Sequence, residues 1–555
     1  MTSHHFLPSS HLDTFARDNL PPVWQWPEFL FERAEVNYPN LLNVAQELVD
    51  IHLAKGRGHR PALHGCNTAG PFTWTYNELK QKIDAIAHVL TKNMGLVAGN
   101  RLLLRGANSP MMAACFLAGL KVGLVMVPTM PLLRASELHQ IIEKAQVVAA
   151  LSANNLADEL AYCLDPQHTH YAPSLERVVY FSNDDALGLE ALMQEYAEQF
   201  TAHPTSKDDV CLIAFTSGTT GKPKGTMHFH RDILAMCDLF PRHILQMNES
   251  DIVCGTPPIA FTFGLGGLLT FPLRYGASTV LLEKHTPETL LATIASYQAT
   301  QCYTAPTFYR QMAGLVDVFS ARSLRHPVCA GEALSDATRQ LWKEKTGLEI
   351  TDGIGGTELI HIFIASAGKK VRPGYIGQVV PGYVAQIVDE NMQALSAGIP
   401  GRLAVRGPTG CRYLNDSRQT DYVKNAWNLS GDTFVMDADG YFKYIARNDD
   451  MIISAGYNIA GPEVEGVLLQ HPAVADCGVV GTPDPQRGQI VTAFITLKTG
   501  FIADAKMVET LQDFVKQQIA PFKYPRRIEF IPAMPRTQTG KLQRFLLHEI
   551  LKPHG

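Results

Sequence analysis

The chain has 555 residues, of which 46% are hydrophobic and 18% are charged, and its formal net charge at pH 7 is −5. This composition is that of an ordinary globular protein and excludes a disordered or collagen-like chain. The mild negative charge and the lack of Lys/Arg runs argue against a nucleic-acid-binding protein, because phosphate binding needs a basic surface. The length indicates several domains and a large buried core.

The N-terminal run "MTSHHFLPSSHLDTF" has neither a basic region nor an apolar core, so we expect no signal peptide there. The ten cysteines stand singly, without a Cys-x-x-Cys pair. This spacing predicts neither a zinc site nor a disulfide framework, and such cysteines are typical of a reducing cytosol. The sequence therefore predicts a cytoplasmic protein.

Residues 111–133, "MMAACFLAGLKVGLVMVPTMPLL", form an apolar segment that is long enough to span a bilayer. Lys121 stands in its middle, two glycines interrupt it, and Pro128 and Pro131 follow. We therefore predict a buried helix and then a buried strand, and no membrane span.

Helix and strand patterns alternate through most of the chain. In "TPETLLATIASYQATQCYTAPT", Thr286 is a predicted N-cap and a strand is expected around Cys302. In "LSDATRQLWKEKTGLEITDGIGG", Ser335 is the predicted cap and Gly347 the predicted helix end. This alternation predicts an α/β fold with largely parallel sheets.

The pattern changes after about residue 446. The runs "ADCGVVGTP", "IVTAFITLK" and "RRIEFIP" predict strands, and "AKMVETLQDFVKQQI" has the apolar spacing of a helix. A polar run, "IARNDDMIISAGYN", marks the boundary. We therefore expect a separate, small C-terminal α+β domain.

The segment "TSGTTGKPKG", residues 216–225, combines glycines, small hydroxyl side chains and lysines. Glycines let the backbone approach a ligand closely, and the hydroxyls and lysines suit a polyphosphate. The spacing does not match a Walker A loop, and composition alone leaves a mobile surface loop as the alternative. The following His-x-His pair, His228 and His230, has no acidic or Cys companion, so we place it at the start of the next helix and not at a metal site.

Several motifs, in order, resemble those of the adenylate-forming superfamily of acyl-CoA synthetases, adenylation domains and luciferases. They are "FTSGTTGKPKG", "DGIGGTELIHIF" at residues 352–363, "RPGYIGQVVPG" at residues 372–382, "SGD" with Asp432, "GYFKYIARNDDMIISAGYNI" with Arg447 and "PRTQTGKLQR" with Lys541. The resemblance spans residues 40–550. It implies a large N-terminal domain of α/β subdomains with a β-barrel-like part (1–446), a hinge (447–450) and a small mobile α+β domain (451–555).

The resemblance implies that a carboxylic acid reacts with ATP to give an acyl-adenylate and pyrophosphate, and that a thiol then displaces AMP. Glu358 would hold Mg²⁺, Thr357 would touch the α-phosphate, and Asp432 would accept the ribose hydroxyls with help from Arg447. The nucleotide-binding residues it implies are Thr216, Ser217, Gly218, Thr219, Thr220, Lys224, Gly331, Glu332, Ala333, Asp352, Gly353, Ile354, Thr357, Asp432 and Arg447.

Lys541 would be the main catalytic residue, together with Thr357 and Glu358. An ammonium group that bridges the attacking carboxylate and the α-phosphate would reduce their repulsion. By the same resemblance, Asp449 lies at the hinge and Gly456 lines the tunnel through which the thiol of coenzyme A arrives.

The acid-binding part most resembles the benzoate-CoA ligase branch, and the run "LDTFARDNLPP…WPEFLF" and the loop "GTTGKPKGTMHFHRD" resemble 2-aminobenzoate (anthranilate)-CoA ligases. Thr262 is a small polar residue where benzoate ligases have alanine. The resemblance therefore implies an aromatic carboxylic acid as substrate, 2-aminobenzoate first. The pocket residues it implies are Thr262, Phe263, Phe271, Gly355, His361 and Ile362.

Three alternatives stay open at this point. The first is a ligase for benzoate or a hydroxybenzoate, the second is a stand-alone enzyme that loads an aryl acid onto a carrier protein, and the third is a silent nucleotide-binding regulator. The expected partners are ATP, Mg²⁺ and coenzyme A, with neither nucleic acid nor a membrane, and the sequence leaves open whether the chain forms a homodimer.

Overall fold

The computed structural model describes residues 6–67, 69–183, 185–216, 223–447, 451–454, 457–484, 487–519, 521–536 and 542–551. Two mainly parallel sheets dominate the N-terminal part, as the alternating pattern predicted. In the described residues the first is six-stranded, in the order β6-β5-β3-β4-β7-β8. Its strands are β3 (Arg101–Arg105), β4 (Val125–Thr129), β5 (Ala149–Ala153), β6 (Arg177–Phe181), β7 (Val210–Thr216) and β8 (Lys224–Phe229).

The second sheet has nine described strands in the order β15-β14-β13-β12-β11-β9-β10-β1-β2, and β9 to β13 pair in parallel through β11 and β12. Its strands are β1 (Pro61–Asn67), β2 (Gly70–Thr75), β9 (Ile252–Gly255), β10 (Ser278–Val280), β11 (Gln301–Thr304), β12 (His326–Ala330), β13 (Thr351–Gly355), β14 (Ile362–Ser366) and β15 (Gln378–Val379).

Helices pack against these sheets, and the predicted caps are confirmed. The Thr286 side chain accepts a bond from the Thr289 N–H, Ser335 does the same for Thr338, and Gly347 ends its helix at a φ of 75°. The helices of this part are α1 (Phe15–Asp18), α2 (Ile51–Ala54), α3 (Tyr76–His88), α4 (Pro110–Val122), α5 (Ala135–Ala145), α6 (Ala157–Leu164), α7 (Leu189–Met193), α8 (His230–His243), α9 (Thr262–Gly264), α10 (Phe271–Tyr275), α11 (Pro287–Tyr297), α12 (Pro306–Ala313) and α13 (Asp336–Thr346).

Two further sheets follow, one on either side of the predicted boundary. The first is antiparallel, and the second is antiparallel except for its last strand, which pairs in parallel with its neighbour. The first has α14 (Gln419–Tyr422) beside it and contains β16 (Val384–Val388), β17 (Gly401–Arg406), β18 (Val423–Lys424), β19 (Trp427–Met436) and β20 (Phe442–Arg447). The second is packed by α15 (Gly461–Leu468), α16 (Ala505–Gln518) and α17 (Arg544–Ile550) and contains β21 (Met451–Ser454), β22 (Tyr457–Ala460), β23 (Val474–Asp484), β24 (Gly488–Leu497) and β25 (Arg527–Phe530).

The apolar segment 111–133 folds as predicted, as the buried helix α4 and the buried strand β4. Lys121 is 1% exposed, and its Nζ lies 2.6 Å from Asp84 Oδ1 and 3.0 Å from Asp50 Oδ2. A buried ammonium is tolerated only when it is paired in this way. Among the residues that the structure describes, no helix combines the length and apolarity needed to cross a bilayer.

Lys121→Met should destabilise the N-terminal part by about 1–3 kcal/mol, because it removes one of the two ammonium groups that pair with the buried carboxylate of Asp84, the other being that of Lys80. The thermal unfolding midpoint measures this loss. The control is Lys345→Met, which removes an exposed ion pair with Asp317 and should change stability by no more than about 1 kcal/mol. Equal midpoints for the two variants would contradict the prediction.

Candidate active site

The predicted phosphate-binding segment connects β7 and β8, which are antiparallel neighbours. Thr216 and Lys224 are paired across this hairpin. The predicted residues Ser217, Gly218, Thr219 and Thr220 lie outside the described residues. The Thr216 Oγ1 is buried and has no hydrogen-bond partner among the residues the structure describes, so this hydroxyl has an unused donor and acceptor.

Lys224 lies in a compact polar cluster with Glu358 and Tyr413. The Tyr413 hydroxyl donates to Glu358 Oε1 over 2.5 Å, and Lys224 Nζ donates to the same hydroxyl over 3.1 Å. Lys224 Nζ also lies 3.6 Å from Glu358 Oε1. Burial and the Glu358 carboxylate raise the pKa of Tyr413 far above its usual value, so this hydroxyl keeps its proton and remains a donor.

The predicted motif residues Thr357 and Glu358 lie on a short 3₁₀ turn, Thr357–Leu359, between β13 and β14. The His228 Nε2 lies 2.8 Å from the Thr357 carbonyl oxygen. We expected both His228 and His230 at the start of the next helix, and for His228 this expectation is wrong. His228 belongs to β8, and only His230 begins α8, because the strand continues until Asp232 caps the helix at Phe229 N.

Glu332 joins the two parts of the chain, which are the N-terminal part with its two mainly parallel sheets and the C-terminal part from residue 451 onward. Its Oε2 accepts a bond of 3.0 Å from the Thr307 hydroxyl, and its Oε1 lies 2.8 Å from Arg536 Nη1. Arg536 also pairs with Asp476 of the C-terminal sheet. Gly331, directly before Glu332, has a φ of 90°, a conformation that favours glycine.

Asp352 is the second residue of β13, and its side chain is buried. The Cys329 thiol donates to Asp352 Oδ1 over 3.5 Å, and Arg339 Nη2 lies 3.7 Å from Oδ2. Burial raises the pKa of Asp352 to about 6, against the opposing effect of Arg339. A contact of this carboxylate with a nucleotide stays a prediction.

Asp432 and Arg447 were predicted to act on the ribose together, and the sheet register pairs them. They are direct neighbours across the antiparallel strands β19 and β20. Asp432 is half-buried, and the side chain of Arg447 is outside the part that the structure describes. The pairing places the two residues side by side in the sheet. The two sequence motifs alone could not establish that Asp432 and Arg447 are neighbours in space.

A cavity of about 1400 Å³ lies between the two parts of the chain. Its wall includes Thr216 and the predicted nucleotide residues Gly331, Glu332 and Ala333 on one side. Arg536 and Leu542, which flank residues 537–541, lie on the other. A second cavity of about 1330 Å³ shares Ala333 and reaches Asp352 and Thr433, the neighbour of Asp432. Lys541, Asp449 and Gly456 themselves lie outside the described residues.

The predicted acid pocket contains a cluster of aromatic rings around His361. The His361 ring lies 4.6 Å from that of Phe271 and 5.7 Å from that of Phe263. Phe240 and Tyr303, which the sequence did not single out, belong to the same cluster. Phe271 is fully buried, so its ring offers no exposed face.

Glycines allow this close packing. A Cβ on Gly266 would lie 2.5 Å from His361 Cδ2, and one on Gly355 would lie 2.6 Å from the His361 carbonyl oxygen. A Cβ on Gly353 would likewise lie 2.7 Å from Cδ1 of the buried Ile362. Thr262, also nearly buried, begins α9, and Ile354 is half-buried beside the motif turn.

His361 is a neutral side chain in this cluster. Burial lowers its pKa to about 3. Its Nε2 lies 3.4 Å from the Phe263 carbonyl oxygen, whereas its Nδ1 is buried without a hydrogen-bond partner in the described ranges. Within those ranges no group of three or more His, Cys, Asp or Glu side chains could hold a metal ion.

Comparisons with known proteins agree with this geometry. The family model described as AMP-binding enzyme matches residues 52–413, and the one described as AMP-binding enzyme C-terminal domain matches residues 463–541. The chain belongs to the AMP-binding enzyme family. The expected adenylate-forming fold and the benzoate-CoA ligase branch of this superfamily are thereby confirmed, together with the relatives described next.

This AMP-binding enzyme is similar to the benzoate–CoA ligase of Thauera aromatica, with 34% identity over 518 residues that cover 92% of this chain and 97% of the relative. It is also similar to the solved anthranilate CoA ligase AuaEII in complex with anthranoyl-AMP, with 30% identity, a TM-score of 0.87 and coverage of 93% and 99%. For the benzoate CoA ligase from Burkholderia xenovorans LB400 the identity is 30%, the TM-score 0.82 and the coverage 91% and 100%. The AMP-binding enzyme is therefore an AMP-forming acid–thiol ligase.

His361→Gln should make the stability of this AMP-binding enzyme less sensitive to acid. The folded-state pKa of about 3 lies below the usual value of about 6.5, so protonation favours the unfolded chain, and stability falls by about 1.4 kcal/mol per pH unit below 6.5. Thermal midpoints at pH 7 and pH 5 should show a smaller drop for the variant than for the wild type. His59→Gln, which changes an exposed histidine, is the control, and equal drops for His361→Gln and the wild type would refute the prediction.

Proposed function

We propose that the chain is an ATP-dependent aryl-CoA ligase whose preferred acid is 2-aminobenzoate. The observation that carries the proposal is the aromatic cluster around the neutral His361, which adjoins the turn with Thr357 and Glu358 through Gly355 and Ile362. The benzoate and anthranilate CoA ligases named above support it. At 30–34% identity they support the aryl-CoA ligase class more strongly than any one acid.

In the first half-reaction a carboxylate oxygen of the acid attacks the α-phosphorus of ATP, and the bond to pyrophosphate breaks. Both reactants are anionic, so the site has to supply cations and oriented donors. Lys224 contributes positive charge beside Glu358, and Thr216 has a hydroxyl available for a phosphate oxygen. Lys541 supplies the ammonium group that meets the attacking carboxylate and the α-phosphate.

The oxygen donors at the motif turn fit a magnesium ion. Glu358 has a half-buried carboxylate, Thr357 carries a hydroxyl beside it in the chain, and the Tyr413 hydroxyl donates to Glu358 Oε1 and so orients the carboxylate. Mg²⁺ prefers such hard oxygen ligands and takes others from the phosphates. Glu358 would hold the ion, which supplies charge neutralisation at the phosphates when it is bound.

The pocket suits a flat aromatic acid. The half-buried Phe263 ring packs against that of the buried His361, and the glycines at positions 266 and 355 let this cluster pack closely. The His361 Nδ1 has no proton if Nε2 carries it, and it could accept a bond from an amino group next to the carboxylate. Thr262 is the second polar group for that amino substituent.

In the second half-reaction the sulfur of coenzyme A attacks the carbonyl carbon of the aryl-adenylate, the thiol proton is lost, and AMP leaves. Relatives that are CoA ligases support this acceptor over a carrier protein. We further propose that residues 447–450, with Asp449, form the hinge between domains 1–446 and 451–555, and that Gly456 lines the thiol tunnel. A cytoplasmic location stays a prediction, and whether the chain forms a homodimer stays open.

Purified enzyme should release pyrophosphate from ATP with 2-aminobenzoate and form the thioester when coenzyme A is added. We expect kcat/KM for benzoate to be about 10-fold lower, because a site that bonds a substrate group discriminates against the analogue that lacks it. Pyrophosphate without thioester would support carrier loading, and no release with any aryl acid would support a silent regulator. Equal kcat/KM for benzoate would overturn the preference for 2-aminobenzoate.

Lys541→Ala should lower the rate of acid-dependent pyrophosphate release by at least about 10²- to 10³-fold, because it removes a charge that stabilises the transition state. Thioester formation from preformed aryl-adenylate should keep a rate near that of the wild type. Lys516→Ala, at an exposed ion pair with Asp513, is the control. The proposed role of Lys541 fails if both half-reactions slow equally.

A further inference from the structure

The turn that carries Thr357 and Glu358 ends in a strained residue. Ile360, directly after the turn, has a φ of 69° and a ψ of −36°. A β-branched residue pays a conformational penalty there, and such a residue persists only where its surroundings fix it. Ile360 is fully buried, and its N–H donates to the Thr357 carbonyl over 3.1 Å.

The same carbonyl of Thr357 accepts a second bond, from His228. The Nε2 of His228 lies 2.8 Å from the Thr357 oxygen. A carbonyl oxygen only accepts, so Nε2 has to carry the proton. A buried histidine that donates to a backbone oxygen fixes the position of that backbone.

His228 is itself held by a buried network. It has no exposed surface, and its Nδ1 faces Asp232 Oδ2 over 3.8 Å. Asp232 accepts a bond of 2.9 Å from the Phe229 N–H and pairs with the fully buried Arg412. The Arg412 guanidinium lies 3.9 Å from the centre of the Phe229 ring. Charge and packing therefore both fix the Asp232 carboxylate that faces the His228 imidazole.

The turn is anchored at its other end as well. The Thr409 hydroxyl donates to the Leu359 carbonyl over 2.8 Å, and the Tyr383 hydroxyl lies 2.8 Å from the Thr409 hydroxyl. The backbone on both sides of Glu358 is therefore bonded to side chains from other elements. If position 228 served only to fill space, an apolar side chain would suffice and would avoid the cost of burying a polar ring. The hydrogen-bond donor at this position therefore indicates a role beyond packing.

We infer that His228 is a positioning residue for the adenylation step: its Nε2–H holds the Thr357 carbonyl and so keeps the strained turn in the conformation that presents Thr357 and Glu358 to the nucleotide. The inference rests on the proposed function. His228 touches no reacting atom, and it acts through the backbone of Thr357. A shift of about 1 Å in such a group is enough to lower a rate about 10²-fold.

Two amide substitutions test this directly. In His228→Gln the side-chain nitrogen stands as far along the chain as Nε2, whereas in His228→Asn it stands as far as Nδ1. We expect His228→Gln to keep kcat for pyrophosphate release within about threefold of the wild type, since it retains one hydrogen bond of ordinary strength. His228→Asn and His228→Leu should lower kcat about 10- to 100-fold, with the KM for the acid little changed.

Equal kcat values for the Gln and Asn variants, or wild-type kcat for His228→Leu, would overturn the inference. If the His228 variants do not fold, Thr409→Val tests the other anchor of the turn. It should lower kcat in the same way, and an unchanged kcat would overturn the inference. A wild-type enzyme that releases no pyrophosphate with any aryl acid contradicts the proposed function instead. The inference is then decided by the Kd for ATP from calorimetry, which should rise for Asn and Leu but not for Gln.

Discussion

Met227 N donates to the Arg412 carbonyl over 2.8 Å, and Leu414 N donates to the Gly225 carbonyl over 2.8 Å. These bonds attach the segment after β17 to strand β8. Because side chains alternate along extended backbone, Tyr413 then faces Lys224 and Glu358, while the flanking Arg412 is buried against Asp232. The polar cluster at the motif turn depends on this pairing between distant parts of the chain.

Buried charges in this molecule are neutralised locally. Arg412 pairs with Asp232, and Lys121 pairs with Asp84 and Asp50. Isolated charges of this kind would be expensive to bury, and pairs hold the elements that carry them in one arrangement. In the first pair that arrangement lies directly behind the motif turn, so the network contributes to geometry as well as to stability.

Polar contacts join the two parts of the chain among the residues that the structure describes. Arg536 pairs with Glu332 across the cavity that Thr216 also lines, and Arg310 Nη2 donates to the Leu469 carbonyl over 3.1 Å. An exposed ion pair or a bond to a backbone carbonyl is readily exchanged with water. We propose that the C-terminal domain changes position between the two half-reactions, and polar contacts of this kind are compatible with such a movement.

Local signals in the sequence were sufficient to predict individual helices and strands. The caps at Thr286 and Ser335 and the helix and strand of residues 111–133 depend on hydrogen bonds and apolar spacing within a few residues, so the sequence determined them. The motifs likewise identified the family and the turn with Thr357 and Glu358. The residue boundaries of the domains and the positions of Lys541, Asp449 and Gly456 remain predictions.

Only the tertiary structure showed the contacts of His228, Tyr413, Phe240 and Tyr303 with the predicted site. Tyr413 is 55 residues from Glu358 in the chain, and His228 is 129 residues from Thr357. Their roles follow from strand pairing and ring packing, which depend on register and on the crossing of sheets. A sequence specifies which side chains can bond or stack, whereas the fold decides which of them come within a few ångströms of one another.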